Sequence, residues 1–397
     1  MTNEEYIRQN SDKDVRSLAL SRVPDGIDLQ WCLRQIEGKQ LAKKKLHSWY
    51  EAEGLWYPPR LSMEQCSSDA TAAYKSELID KLPIARKLMA DLTGGFGVDF
   101  SFMANKFEKA IYVERQPELC NVACHNFPLL GLKNAQVVNA ECETFLNSQA
   151  NASRVYSLIY LDPARRDTAG RKVYGIEDCT PDLTELQERL LSISDVLVVK
   201  LSPMLDITQA LRTLRSVRDV HIVSVRGECK ELLFILSNKL DKPLEYHCVN
   251  LETEEKEFVA MGNRYSRGEV RAPMAGHVLL EPNASIMKAG LQDVFAEEYS
   301  LYKPHVNSNI FFADESGIWE HNTPARKFRV VELYDFSKQS LKRLQGTVKQ
   351  ANITIRNFPS SVADLRKRLK IKDGGNEYLF VTTLADGSHV ILRCSKI

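Results

Sequence analysis

Short hydrophobic runs alternate with longer amphipathic stretches over residues 82–240. The stretches between the runs have the length and the spacing of polar side chains expected of helices. Nearly continuous apolar strands separated by helices are typical of a parallel sheet that is buried on both faces. Five such strands are predicted, at residues 88–90, 109–113, 135–138, 157–161 and 196–199.

The last two runs of this region are connected differently. Residues 221–225 and 231–236 flank the turn-like Arg226-Gly227-Glu228, which is too short to contain a helix. Two strands joined by so short a turn predict a hairpin. We therefore expect an α/β fold with a mostly parallel seven-stranded sheet that ends in an antiparallel hairpin.

The pattern changes on both sides of this core, and it predicts four domains. Residues 1–60 have helical periodicity, residues 244–325 are mixed, and residues 326–397 alternate strands with helices. We expect an N-terminal helical segment (1–60), the α/β core (61–240) and two small α+β modules (244–325 and 326–397).

The aromatic residues that close the N-terminal segment allow two interpretations. Lys43-Lys44-Lys45 precedes Trp49 and Tyr57, with further aromatic side chains between them. Basic residues among aromatics can bind single-stranded nucleic acid by charge and stacking. More often, such aromatics form a hydrophobic core beneath a solvated lysine face.

Composition is that of an ordinary globular protein, with 397 residues, 44% hydrophobic and 26% charged. Nine cysteines include no Cys-x-x-Cys pair, so we expect reduced thiols and no metal centre. No apolar run approaches the ~20 residues of a membrane span. The first ten residues are polar, unlike a signal peptide, and we expect a cytoplasmic protein.

Charge is distributed unevenly along the chain. The whole sequence carries 53 Lys and Arg against 52 Asp and Glu, but residues 326–397 carry 15 against 6, a balance of +9. Concentrated positive charge attracts polyanions, and RNA is the partner we expect for this region. The basic run Leu365-Arg366-Lys367-Arg368-Leu369-Lys370 could also be only the solvated face of a helix.

The strongest chemical signal is a glycine-rich turn between the first strand and the helix that follows. It reads Asp91-Leu92-Thr93-Gly94-Gly95-Phe96-Gly97-Val98-Asp99. Glycines there let the backbone approach a nucleotide-like ligand closely. Glu114 stands at the end of the next strand, 19 residues after Gly95, where a carboxylate can accept both hydroxyls of a ribose.

The electrostatics of this turn favour one nucleotide-like ligand over another. A dinucleotide site needs a third glycine, and Phe100 occupies that position. Asp91 and Asp99 disfavour a phosphate beside the turn and suit a cation. S-adenosylmethionine carries a sulfonium and an ammonium and no phosphate.

Residues 61–240 resemble a class I S-adenosylmethionine-dependent methyltransferase, which has a Rossmann-like core. The family's first motif is acid-x-Gly-x-Gly-x-Gly, and the segment from Asp91 to Gly97 matches it with Thr93 in place of the first glycine. The resemblance implies that S-adenosylmethionine is the cofactor, that Asp91 faces its amino group, and that Glu114 and Glu141 contact the ribose and adenine. The cofactor-binding residues it implies are Asp91, Thr93, Gly94, Gly95, Gly97, Glu114, Glu141 and Asp162.

The fourth strand is followed by Asp162-Pro163, which resembles the Asp-Pro-Pro-x motif of nucleic-acid methyltransferases acting on base nitrogens. In that motif the acid and a backbone carbonyl orient the target amine, which makes Asp162 and Pro163 the catalytic residues. Arg165, Arg166 and Lys200 are the substrate-binding residues that we expect. Asp162 could instead have a structural role, as a cap or as a partner of Arg165.

The order of domains resembles a bacterial family of methyltransferases with a ferredoxin-like middle domain and a C-terminal THUMP-like domain. Residues 281–290 and 361–372 carry this likeness. Because THUMP domains bind RNA, it implies methylation of a base nitrogen in structured RNA.

Alternatives remain open from the sequence. Cys179 is a weak candidate for the thiolate that carbon methylation would need. The chain could also be a dinucleotide-dependent oxidoreductase, or an RNA-binding protein with a decayed methyltransferase core. A protein or a small molecule could replace RNA as the methyl acceptor.

Overall fold

A computed structural model describes residues 1–148, 156–165, 175–177, 179–253, 257–262, 266, 268–317, 319 and 322–397. The chain forms two compact units. The first comprises Met1–Asp219 with Glu231–Lys242, and the second comprises Val220–Lys230 with Pro243–Ile397. Each of these two units is larger than any of the four predicted domains, so the division into four domains is not tested by them and stays a prediction.

Six helices precede the first strand, and they bury the aromatic residues of the N-terminal segment. Trp49 and Tyr57 are buried, and the ring of Trp49 packs 4.6 Å from that of Phe96 in the glycine turn. These two aromatics are therefore core residues. The helices are α1 (Asn3–Asn10), α2 (Val15–Ala19), α3 (Leu29–Lys45), α4 (His47–Glu51), α5 (Arg60–Gln65) and α6 (Asp69–Lys81).

The rest of the first unit alternates strands with helices, as the hydrophobic pattern predicts. Strands β1 (Leu88–Asp91), β2 (Lys109–Glu114), β3 (Ala135–Asn139) and β4 (Tyr156–Leu161) are accompanied by α7 (Val98–Ala104), α8 (Pro117–Leu129) and α9 (Cys142–Ser148). There follow β5 (Ala164–Arg165), β6 (Cys179–Thr180), α10 (Leu183–Ile193), β7 (Ser194–Leu201), α11 (Ile207–Thr213), β8 (Val217–Val225) and β9 (Glu228–Leu236), of which residues 220–230 in the hairpin of β8 and β9 belong to the second unit.

The seven predicted strands lie in one sheet in the order β3-β2-β1-β4-β7-β9-β8, but two further strands, at residues 245–251 and 258–261, extend it beyond β8 to nine strands rather than the predicted seven. The pairs from β3 to β7 are parallel, and β9 runs antiparallel to β7. At the open end of the hairpin, the N–H of Ser237 donates to the carbonyl of Ser216 at 2.9 Å. Strand order reverses between β1 and β4, and ligands bind open α/β sheets at the carboxyl ends of such neighbouring strands.

The second unit contains an eight-stranded sheet in the order β12-β14-β15-β13-β16-β19-β18-β17. Its elements up to residue 313 are β10 (Glu245–Leu251), β11 (Phe258–Met261), β12 (Glu269–Val270), β13 (Val278–Pro282), α12 (Ala284–Ala289), α13 (Gln292–Glu298), β14 (Tyr302–Lys303) and β15 (Phe311–Ala313). The remaining elements are β16 (Ala325–Asp335), α14 (Lys338–Thr347), β17 (Gln350–Ile355), α15 (Val362–Leu369), β18 (Lys372–Thr383) and β19 (His389–Lys396).

The basic run lies on helix α15 and at its end. Leu365 and Leu369 are buried against the sheet, whereas Lys367, Arg368 and Lys370 are exposed. The helix therefore directs its apolar side inward and much of its positive charge to solvent. Among the residues described, no helix combines the length and apolar character that crossing a membrane requires.

Candidate functional site

The glycine turn joins the end of β1 to the start of α7. Gly95 and Gly97 have φ values of 56° and 86°, in the left-handed region that suits glycine. Gly94 is fixed for another reason, since a Cβ atom there would lie 2.2 Å from the ring of Tyr112. A Cβ on Gly95 would meet no atom closer than 3.8 Å, so that position faces open space.

Asp91 ends β1 and is almost completely buried. Its Oδ1 accepts hydrogen bonds from the backbone N–H of Thr93 at 2.9 Å and from the Thr93 hydroxyl at 3.3 Å. Burial raises the pKa of Asp91 to about 8, and the neighbouring carboxylates of Asp99 and Asp162 act in the same direction. A ligand ammonium beside Asp91 would compensate its charge, which fits the amino group of S-adenosylmethionine.

Glu114 lies at the end of β2, directly against the glycine turn. Its Oε2 accepts the backbone N–H of Gly95 at 2.8 Å, and its Oε1 accepts that of Gln116 at 2.8 Å. Two backbone donors fix the buried carboxylate while each oxygen keeps a lone pair for another donor. Glu114 is therefore held in an orientation that fits a ribose diol.

Glu141 follows β3 on the same side of the sheet. The N–H of the preceding Ala140 donates to the carbonyl of Glu114 at 3.1 Å. The Glu141 side chain is 56% exposed and lies 4.0 Å from the guanidinium of Arg115. The structure thus places the proposed adenine-binding acid beside the proposed ribose-binding acid, at the solvent surface.

Asp162 follows β4 and is tied to the glycine turn. Its backbone N–H donates to the hydroxyl of Thr93 at 2.7 Å. A glycine at position 93 could not make this bond, so the departure from the family motif has a structural consequence. Pro163 is buried directly after Asp162.

Lys200 lies near the end of β7, the strand beside β4, and contacts Asp162. Its Nζ is 2.6 Å from Oδ2 of Asp162 and 3.5 Å from Oδ2 of Asp99. Burial disfavours the ammonium, but the Asp162 and Asp99 carboxylates outweigh it and hold the pKa of Lys200 above its usual value. Asp162 therefore has Lys200 as its ion-pair partner.

The remaining predicted substrate residues are described less fully. Arg165 belongs to β5, which pairs with β6 through Arg165 and Cys179, but its side chain is not described. Arg166 lies outside the described residues. The Cys179 side chain is buried, with its Sγ 3.9 Å from the carbonyl of Gly175.

Sequence reasoning assigned no role at the site to Lys75, Tyr160 or Glu231, which lie buried around Asp99. Lys75 on α6 is 1% exposed and lies 2.6 Å from Glu231 Oε1 and 3.1 Å from Asp99 Oδ1. Ser67 and Tyr160 each donate a hydrogen bond of 2.8 Å to Asp99 Oδ2. The sequence carries no clear local signal for Lys75, because α6 mixes polar and apolar residues, or for Glu231, which stands at the very start of an apolar run.

The two acids that share Lys75 have pKa values shifted in opposite directions. Burial disfavours the charged form of Asp99, but Lys75 and Lys200 outweigh it and hold the pKa of Asp99 below its usual range. Burial prevails at Glu231 and raises its pKa, although Lys75 opposes the shift. Asp99 is therefore the ionised centre of the cluster.

The serines before α6 have two separate functions. Ser68 caps the helix, accepting the backbone N–H of Thr71 at 3.3 Å. Ser67 instead bonds Asp99 and lies 3.2 Å from Lys75 Nζ and 3.3 Å from Lys200 Nζ. Ser68 is therefore the helix cap, whereas Ser67 belongs to the buried cluster around Asp99.

Comparison with solved structures decides the family. A structure from Porphyromonas gingivalis W83, described as a "putative methyltransferase", is 32% identical, with 99% of this chain and 97% of that chain covered and a TM-score of 0.86. The chain belongs to this methyltransferase family. Within it, a THUMP domain-like family model matches residues 325–396, and a ferredoxin-like domain model matches residues 279–317. The family resemblance and the class I fold, both predicted from the sequence, are confirmed.

More distant members of the wider methyltransferase fold are similar over part of the chain. An S-adenosylmethionine-dependent methyltransferase from Agrobacterium tumefaciens is 17% identical, covering 33% of this chain and 42% of that chain at a TM-score of 0.27. An rRNA methylase from Streptococcus thermophilus is 12% identical, and the match covers 42% of this chain and 94% of that chain at a TM-score of 0.30. Comparison with curated proteins gives no match.

Proposed function

We propose that this methyltransferase transfers the methyl group of S-adenosylmethionine to RNA. The carrying observation is that the glycine turn, the buried acids Asp91 and Glu114, and the Asp162–Lys200 pair lie at the carboxyl ends of neighbouring strands. The proposed cofactor-binding residues are Asp91, Thr93, Gly94, Gly95, Gly97, Glu114, Glu141 and Asp162.

Each of these residues has a defined task in the proposal. The cofactor supplies an electrophilic methyl group bonded to a sulfonium. Asp91 receives its ammonium, Glu114 its ribose hydroxyls and Glu141 its adenine amino group, while Gly95 leaves room for it. Asp162 orients the acceptor, and positioning of two reactants in this way can supply several kcal/mol of the activation barrier.

RNA as the acceptor is supported by the C-terminal region. Residues 325–396 match the THUMP-like model, and the exposed residues Lys367, Arg368 and Lys370 supply positive charge on one helix. We propose that residues 326–397 form the RNA-binding domain. Arg165 and Arg166 would hold phosphates near the reacting nucleotide.

The acceptor atom predicted from the sequence is a base nitrogen. This prediction depends on Asp162-Pro163 alone, because an acid and a backbone carbonyl there would accept hydrogen bonds from an amine.

Ligand-dependent thermal unfolding tests the cofactor assignment. The pure protein is heated with S-adenosylmethionine, S-adenosylhomocysteine or NAD, each at about 100 times an expected Kd, where binding stabilises by ~2.7 kcal/mol. We expect a rise in Tm with the first two ligands alone. A rise with NAD alone would support the oxidoreductase alternative, and no rise with any ligand would support a decayed core.

Transfer of a labelled methyl group tests the acceptor class. The protein is incubated with methyl-labelled S-adenosylmethionine and total RNA from cells whose copy of the gene has been deleted. Label should enter RNA and should be lost when the RNA is digested with nuclease beforehand. Label that enters only protein or small molecules would contradict the RNA assignment.

A further inference from the structure

Five ionisable side chains of the first unit form one continuous cluster at the carboxyl ends of β4 and β7. Lys75 contacts Glu231 and Asp99 at 2.6 and 3.1 Å, and Lys200 contacts Asp162 and Asp99 at 2.6 and 3.5 Å. The two lysines thus flank Asp99. The cluster therefore places the Lys200 ammonium directly beside Asp162, the acid that we expect to contact the methyl acceptor.

The cluster has a buried end and an accessible end. Lys75 and Glu231 are 1% and 4% exposed, whereas Lys200 is 13% and Asp162 is 39% exposed. Only the Lys200–Asp162 end can therefore meet a macromolecular substrate without rearrangement. Lys75 and Glu231 are positioning residues, because they act on that end through Asp99.

The hydrogen bonds of the accessible end leave capacity for one more group. Lys200 makes a short contact with Asp162 Oδ2, but its contacts to Ser67 and Asp99 are long, at 3.3 and 3.5 Å. One N–H of the ammonium can therefore turn to an arriving acceptor. Asp162 Oδ1 accepts no hydrogen bond from the residues that the structure describes, so it can receive a donor.

An adjacent donor and acceptor distinguish between the candidate methyl acceptors. An exocyclic amine of a base donates hydrogen bonds but accepts poorly, and would leave the spare N–H of the Lys200 ammonium without an acceptor. A ring nitrogen with a free lone pair accepts but does not donate, and would leave Asp162 Oδ1 without a donor. A hydroxyl does both, with one donor and two lone pairs.

We propose that the methyl acceptor is a ribose 2′-hydroxyl of RNA rather than a base nitrogen. This inference rests on the proposed function, and it changes the acceptor atom named there. Asp162 and Lys200 become catalytic residues, because both contact the hydroxyl. Unpaired nucleotides and structured RNA alike present this group on every ribose.

The proposed methyl transfer requires only the RNA hydroxyl, the cofactor and the side chains of Asp162 and Lys200. The hydroxyl donates to Asp162 Oδ1 and accepts from Lys200, which leaves its second lone pair directed at the methyl group. Its oxygen forms a bond to the methyl carbon as the carbon–sulfur bond breaks, and sulfur keeps that electron pair. The hydroxyl proton passes to Asp162 and from there to solvent, and no oxidant or metal is consumed.

Locating the methyl group in the product tests the inference. RNA labelled by the native protein is digested to nucleosides, the glycosidic bond is cleaved, and mass spectrometry assigns the label to ribose or base. Label on ribose as 2′-O-methylnucleosides is the expected result. Label on the base would overturn the inference while leaving the RNA methyltransferase proposal intact, whereas no label in RNA would overturn both.

Variants of Lys200 provide a second test. Lys200→Met should slow single-turnover methylation by about 100-fold, the scale of a lost acid–base group, and Lys200→Arg should recover part of the rate. The Tm shift with S-adenosylhomocysteine and the affinity for RNA should stay within a factor of about 2, as one expects when only the chemical step changes. Near-normal methylation by a folded Lys200→Met protein would contradict the role of Lys200.

A surface lysine supplies the matched control. Lys106→Met removes a lysine that pairs with Asp80 on the outside of the first unit. It should leave the rate, the site of the label and the Tm shift unchanged. Equal rate losses in the Lys106 and Lys200 variants would indicate general damage and would overturn the assignment.

Discussion

Asp162 joins the glycine turn to the buried charged cluster. Its Oδ2 lies 2.6 Å from Nζ of Lys200, and its backbone N–H donates to Thr93 at 2.7 Å. One residue is thus held by both the strand next to it and the turn that receives the cofactor. The position of its carboxyl group is fixed before any ligand binds, which is the condition for catalysis by orientation.

Replacing Asp162 should separate catalysis from cofactor binding. Asp162→Ala removes the carboxyl group but keeps the backbone N–H that donates to Thr93. We expect the rate of RNA methylation to fall by at least about 100-fold, as when a catalytic acid–base group is lost. The Tm shift with S-adenosylhomocysteine should persist, because the backbone of Asp162, which is its part in the cofactor site, is unchanged. A folded variant that methylates RNA at a near-normal rate would show that the role assigned to Asp162 is wrong.

Lys75 should contribute strongly to folding. Lys75→Met leaves Asp99 and Glu231 buried without their shared cation, and breaking a buried ion pair in this way costs about 3–5 kcal/mol. Urea denaturation measures the loss. The double variant Lys75→Met/Glu231→Gln should recover part of it, because one unpaired acid is removed.

The control for Lys75 is again Lys106→Met, which breaks a surface ion pair worth at most about 1 kcal/mol. If both lysine variants lost the same small amount, the buried cluster would not be the stabilising feature we describe.

Two neighbouring glycines should fail in different ways when changed to alanine. Gly94→Ala places Cβ 2.2 Å from the Tyr112 ring and should destabilise the fold by about 1–3 kcal/mol through overpacking. The new methyl group of Gly95→Ala meets no close atom, so the fold should lose only the stability that a left-handed backbone costs alanine, about 1–2 kcal/mol. It should nevertheless weaken S-adenosylmethionine binding by about tenfold or more, since its methyl group enters the cofactor's space.

Gly131→Ala is the matched control for Gly95, because Gly131 has φ of +76° and a Cβ there would likewise have no close contact. The two variants should lose similar stability in urea, but only Gly95→Ala should lose affinity in a calorimetric titration. Equal affinities would place the cofactor elsewhere.

The parts of the site that the sequence predicts are those set by local spacing. A glycine turn follows β1 and an acid ends β2, so their meeting follows from parallel pairing of adjacent strands. The contact between Lys75 and Glu231 spans 156 residues. It depends on β9 lying next to β7, and no local pattern marks either side chain as buried.

Short elements were missed for a related reason. Strands β5 and β6 have two residues each, Ala164–Arg165 and Cys179–Thr180, and two residues carry no periodicity. Thr93 shows the same limit at a single position, since only the structure gives its hydroxyl a partner in Asp162.

Asp91 should make stability depend on pH. Burial raises its pKa to about 8 in the folded protein, whereas a free aspartate ionises near 4. Between these values the folded state holds a proton that the unfolded state has lost, so this group's contribution to stability falls as pH rises, by up to about 1.4 kcal/mol per unit. Asp91→Asn should therefore gain stability relative to the native protein from pH 5 to pH 8, and the gain should level off above pH 8.

Urea denaturation at several pH values measures that difference, and Asp80→Asn on the exposed surface should show none of it. A difference between Asp91→Asn and the native protein that stays constant with pH would contradict the raised pKa. In the native protein at pH 7, binding S-adenosylmethionine should also release a proton, because the ligand's ammonium favours the ionised carboxylate. Calorimetry in buffers of different ionisation enthalpy detects that proton.

The exposed charges of α15 should determine affinity for RNA. Lys367, Arg368 and Lys370 are exposed, whereas Arg366 is occupied by bonds to Ala351 and Asp373. Reversing the three exposed charges to glutamate should weaken binding of total RNA by at least about tenfold and reduce the slope of log affinity against log salt, since each lost phosphate contact releases one counterion fewer. The same changes at the exposed residues Lys13, Lys87 and Lys133 of the first unit alter net charge equally and should have a much smaller effect. Equal losses in the two triple variants, measured by filter binding over a salt series, would mean that net charge rather than this helix attracts RNA.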